Sequence, residues 1–213
     1  MTYSNCGISF KKNGQGIDFD PDKRIIIKLT LTFIVFYLIG LILYYILSIS
    51  SSETLNSYIS NYFSNKINTD LNLNSILPAL TLISYSDLKA LFLVFLAGFT
   101  MFSGIGILCI LAFEAVSLGF SSLYLVNAMT YDLLPSVAFS DLIIFLLSNS
   151  LIAGILVYFS YKTIFFNDSF RALQGRKKLI LRHKNMYRHI FYLLTFGGAI
   201  ILINSIVTII NFF

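Results

Sequence analysis

Tryptophan is absent from this 213-residue chain, cysteine occurs twice, proline three times, and charged residues make up 12%. Each scarcity excludes something. Soluble domains carry nearer a quarter charged residues, so this chain has no room for a sizeable water-soluble domain. Without tryptophan, the 13 tyrosines must supply any aromatic belt at a membrane surface. Cys6 is expected in a polar lead-in and Cys109 inside an apolar run, so neither a disulfide nor a metal site follows from them. His183 and His189 have no Cys or acidic neighbour at ligand spacing. No Walker-type glycine loop, Gly-x-Ser-x-Gly or His-Glu-x-x-His occurs. The expectation is therefore a protein that is not an enzyme, holds no cofactor and binds no nucleic acid, its basic residues marking a membrane face instead.

What is present is apolar. Hydrophobic residues make up 57% of the chain and its mean hydropathy is +0.81. Residues 88–127 form a nearly unbroken apolar stretch interrupted by one interior carboxylate, Glu114, and by Gly98, Gly104, Gly106 and Gly119. A straight helix of that length would run about 60 Å, twice the ~30 Å hydrocarbon core. The stretch must fold back, and the charge at Glu114 points to a turn within 111–117. That leaves a short second leg, either tilted or re-entrant.

The other apolar runs predict an all-α, polytopic integral membrane helical bundle of about five transmembrane segments. The spans are 25–48, 88–110, 114–127, 139–161 and 190–212. Residues 1–24 form a cytoplasmic lead-in, 49–87 an outer segment, and 162–188 a cytoplasmic basic loop. The run at 25–47 is too long for the core of a signal peptide. Of 15 Lys and Arg, five lie in 1–28 and eight in 162–188, leaving Lys66 and Lys89. Basic residues mark the cytoplasmic side. The N-terminus is thus expected inside and the C-terminus outside, in the cell's plasma membrane.

Within the outer segment, Leu55, Tyr58, Ile59, Tyr62 and Phe63 repeat at helical spacing opposite Asn and Ser residues. That amphipathic face either lies in the membrane interface or docks an outer partner. Pro78 suits the first turn of a helix. Asn167-Asp168-Ser169 matches a glycosylation pattern but falls in the expected cytoplasmic loop. Glycines at 98, 104, 106 and 119 suit close helix approach. Glu114 is either an anchor or an intramembrane functional group.

The chain resembles the stage II sporulation protein M family over residues 25–213. The resemblance rests on Leu96-Ala97-Gly98-Phe99 through Ile105-Gly106-Ile107, on Phe113-Glu114-Ala115-Val116-Ser117-Leu118-Gly119-Phe120, and on Leu133-Leu134-Pro135 before an apolar run. It implies a non-enzymatic membrane scaffold. Such a scaffold recruits the peptidoglycan-degrading stage II sporulation proteins D and P for septal wall thinning during engulfment. The candidate intramembrane residues, functional or structural, are Gly98, Gly104, Gly106, Glu114, Gly119 and Pro135. The competing reading is a membrane subunit of a transporter complex, ABC-type or related, with its energy-coupling partner on a separate chain.

Overall fold

In hydrocarbon every backbone N–H and C=O must be bonded within the protein, and long helices do this at least cost. The computed structural model describes residues 21–50, 73–130, 139–172 and 179–210. These residues form five helices and no strand: α1 (Pro21–Ser50), α2 (Leu73–Ala97), α3 (Ser103–Thr130), α4 (Phe139–Ala172) and α5 (Leu179–Ile210). Windows in α1, α3, α4 and α5 are long and apolar enough to cross a membrane. The chain is a multi-pass membrane protein.

The fold-back of the long apolar stretch lies at 98–102, not at 111–117 around Glu114. Glu114 sits in the middle of α3. A single charge costs solvation energy but does not stop a helix, and Phe113-Glu114-Ala115 contains no breaker. The displaced turn removes the short second leg: α3 has 28 residues, about 42 Å of helix. α2 starts at Leu73, so the expected outer segment loses residues 73–87 to this helix. Pro78 lies inside α2 beyond its first turn. Much of the expected basic loop is also helical, since α4 runs to Ala172 and α5 begins at Leu179. Lys162 and Arg171 thus lie on α4, and Arg182, Lys184 and Arg188 on α5, rather than between helices. Leu55, Tyr58, Ile59, Tyr62, Phe63 and Pro135 lie outside the described residues.

Contacts fix how the helices run. α1 and α3 are parallel neighbours: Tyr37 and Gly40 meet Val116 and Gly119, and one helical turn on Tyr44 meets Phe120 and Tyr124. A Cβ on Gly40 would overlap the Val116 carbonyl, and one on Gly119 the Tyr37 carbonyl. Hydrogen in place of a side chain lets the two backbones touch, the small-residue packing that membrane helices use where water gives no drive to associate. Beyond the crossing, Asn127 Nδ2 donates to Tyr44 Oη at 3.2 Å. Leu142, at the start of α4, joins Tyr44, Tyr124 and Leu125 in an apolar cluster. The main core, with Leu91, Val94, Ile107, Leu111, Phe159 and Ile200 buried, draws on α2, α3, α4 and α5, with Leu29 and Phe33 from α1.

One end of the bundle therefore holds the start of α1, the 98–102 turn, the end of α4 and the start of α5. Lys23, Arg24, Lys28, Lys162, Lys184 and Arg188 lie on those elements. Lys89 on α2 stands about two and a half turns from the fold-back.

Gly40→Leu or Gly119→Leu should destabilise the detergent-solubilised protein by about 1–3 kcal/mol, the range of an overpacked core. Gly104→Ala and Gly198→Ala, where an added Cβ meets nothing within 4 Å, should not lower the thermal unfolding midpoint, since alanine is the better helix former. Equal midpoints for all four variants would refute the glycine crossing.

Candidate functional site

The 98–102 turn is a break in helical bonding deep in an apolar chain, so its carbonyls need partners. Part of the answer is local. The Gly98 amide donates to the Val94 and Phe95 carbonyls at 3.2 and 3.1 Å, Phe99 to Leu96 at 3.1 Å, and Thr100 to Ala97 at 3.0 Å. The rest comes from α4. Asn167, 3% exposed, donates its amide to the Gly98 carbonyl and, at 3.0 Å, to that of Thr100. Gly98 admits this approach. A Cβ there would stand 2.5 Å from Thr163 Cγ2 and 3.5 Å from His189 Nε2. Thr163 in turn donates to the Phe159 carbonyl at 2.9 Å.

His189, near the start of α5, is packed among phenylalanines. Its ring stacks on Phe166 at 4.2 Å, Phe95 at 5.0 Å and Phe159 at 5.5 Å between centroids. Phe99, from the turn itself, lies tilted at 6.2 Å. The residue is 2% exposed, and neither ring nitrogen has a hydrogen-bond partner among the described residues. It lines a cavity of about 90 Å³ with Lys162, Asn185, Arg188 and neighbouring rings.

A second polar contact lies farther along the bundle, between α2 and α5. Asn204 Nδ2 donates to Asp87 Oδ2 at 2.9 Å, and Thr208 donates to the Asn204 carbonyl at 2.8 Å. Ser84 is buried one turn from Asp87. On the opposite flank, a groove of about 540 Å³ runs between α1, α3 and α4. Phe33, Tyr37, Leu118, Leu146 and Val157 line it, with Asn149 and Ser150.

The candidates read from sequence divide. Gly98 sits at the junction just described and Gly119 at the α1–α3 crossing. Gly106 meets only the Ala97 Cβ, at an ordinary 3.6 Å, and Gly104 faces open space; neither carries a close helix approach. Glu114 is half-buried in mid-α3, away from the fold-back it was expected to mark. Residues that sequence reasoning missed are Gly40, Asp87, Asn167 and Asn204, and His189 was considered only as a metal ligand. Asn204 did carry a signal: it is an amide inside an otherwise apolar helical segment, where an unbonded polar group is costly.

Among the described residues no group of three His, Cys, Asp or Glu side chains could hold a metal ion. What the arrangement does is fasten helices and present a basic, partly polar cavity beside a buried imidazole. The chain matches no known family, no curated protein and no solved structure in the comparisons made.

Asn167→Ala should strip two carbonyls of their partner and destabilise the protein by about 1–3 kcal/mol. Asn149→Ala, whose amide bonds back to the Phe145 carbonyl in its own helix, should cost less. A thermal midpoint moved more by the second than by the first would refute the assigned role of Asn167.

Proposed function

We propose that this chain is a non-enzymatic scaffold of the plasma membrane, with its N-terminus in the cytoplasm and its C-terminus outside. The gathering of basic residues at one end of the bundle supports the orientation, because lysine and arginine are retained on the cytoplasmic face. With five crossings, that end is cytoplasmic at the start of α1, at the 98–102 turn and between α4 and α5.

The observation that carries the scaffold reading is where the interior amides go. Asn127 and Asn204 each bond across to another helix, and Asn167 to the fold-back between two others. Polar atoms that would line a transport path are spent on holding helices together. On this reading, and following the resemblance to the stage II sporulation protein M family, the partners are peptidoglycan-degrading proteins of the stage II sporulation D and P kind. They meet the outer segment, with Leu55, Tyr58, Ile59, Tyr62 and Phe63 as the contact face. Septal wall thinning during engulfment is then the process served.

Affinity capture of the tagged chain from its native membrane tests this. Wall hydrolases should co-purify. Tyr58→Asp with Tyr62→Asp should remove them while membrane insertion persists. Retention of the hydrolases by the double variant would overturn the contact face, and a capture without hydrolases would overturn the scaffold itself.

The Asp87–Asn204 contact favours a second reading, a transporter subunit. A carboxylate among membrane helices is a functional-site hypothesis by default. Asp87→Asn keeps the shape and removes the ionisable group. On the transporter reading it should abolish substrate flux in vesicles; on the scaffold reading partner recruitment should survive it.

A further inference from the structure

Phosphate recognition is the chemistry left unexplained at the basic end. We propose that the cavity between α4 and α5 is a binding site for a phosphate group, held by Lys162, Arg188, Asn185 and His189.

Four observations converge on it. First, the cavity of about 90 Å³ has room for one tetrahedral anion. Second, its lining brings two cations from different helices together, and no acidic side chain lines it among the described residues. Third, both cations are held by tyrosines. Arg188 Nε donates to Tyr192 Oη at 3.0 Å, which leaves the terminal guanidinium nitrogens to bind elsewhere. Lys162 Nζ stands 5.2 and 5.1 Å from the ring centres of Tyr158 and Tyr161. Contact with a ring face steadies an ammonium without using its N–H donors.

The fourth is the imidazole. His189 is almost wholly buried and its ring nitrogens have no partner among the described residues. A buried imidazole must hold at least one N–H, and buried donors are satisfied in native structures. Its phenylalanine neighbours offer ring faces and no conventional acceptor. A phosphate oxygen in the cavity supplies the acceptor. Guanidinium, ammonium, amide and imidazole together give the several N–H donors that a phosphate attracts.

The same chemistry is presented by an anionic lipid headgroup and by a soluble phosphate compound. Basic pockets between membrane helices on the cytoplasmic side suit the former.

The chain has two histidines, so ring-nitrogen NMR on the full chain labelled with ¹⁵N-histidine reads two residues, and His183→Gln assigns them. The protein is placed in phosphatidylcholine nanodiscs. One arm titrates phosphatidylglycerol into the disc, the other inorganic phosphate into the buffer. His189 should shift saturably. Movement with phosphatidylglycerol alone makes the ligand a lipid headgroup, and movement with inorganic phosphate makes it a soluble compound. Lys162→Gln and Arg188→Gln should each weaken binding about fivefold or more. Lys184→Gln removes an exposed charge about one turn from Arg188 and should leave binding unchanged. A wild-type His189 signal that stays still in both arms overturns the site without recourse to a variant. So does equal weakening by Lys184→Gln, which would reduce the effect to surface charge.

Discussion

The amide of Asn167 takes two carbonyl oxygens of the fold-back, those of Gly98 and Thr100. A buried carbonyl left without a donor costs free energy, and Gly98 is buried. That requirement sets the rest of the basic end. The last turns of α4 must lie against the fold-back, and Gly98 must lack a side chain for Thr163 and His189 to come near. Because Asn167 reaches the turn, Phe166 beside it reaches the imidazole. The α2–α3 hairpin, α4 and α5 thus converge on one short stretch of non-helical chain.

The bundle joins its helices in two different ways. At the α1–α3 crossing the partners are nearly bare backbones, and association rests on dispersion over a close contact. At the basic end large rings do the filling: Phe95, Phe99, Phe159 and Phe166 surround one histidine. The first arrangement is sensitive to any added volume. The second tolerates small shifts of large faces but leaves a polar ring in need of a partner. Between these ends the Asp87–Asn204 contact ties α2 to α5.

The helical class and the apolar runs were legible because transfer into hydrocarbon acts residue by residue and needs no knowledge of neighbours. The position of the fold-back was not. The charge of Glu114 was read as the break, yet the true break gathers Gly98, Thr100 and Ser103, residues that either free the backbone or bond it locally. Length offered the correction: with residues 73–87 taken into α2, a turn at 98–102 gives two legs of 25 and 28 residues, each long enough to cross. Asp87 was the last residue of the expected outer segment. Its partner, Asn204, is 117 positions away, and no local pattern announces such a pair. Asn167 was noted only within a glycosylation pattern and set aside with the expected cytoplasmic loop, while its partners lie in a turn on another hairpin. Gly40 stood in a run so uniformly apolar that nothing marked one face of α1 from another.

The parallel α1–α3 crossing has a consequence for the order of assembly. Gly40 emerges from the ribosome long before Gly119, and at ~5–20 residues per second the wait lasts several seconds. α1 therefore enters the bilayer without the helix it is shaped to meet. Only 11% of its most apolar window is buried even in the finished bundle, and that near-complete lipid compatibility equips it to stand alone meanwhile. The glycine notch then acts as a latch for a late arrival, so α1 is locked only once the later-made α3 reaches it.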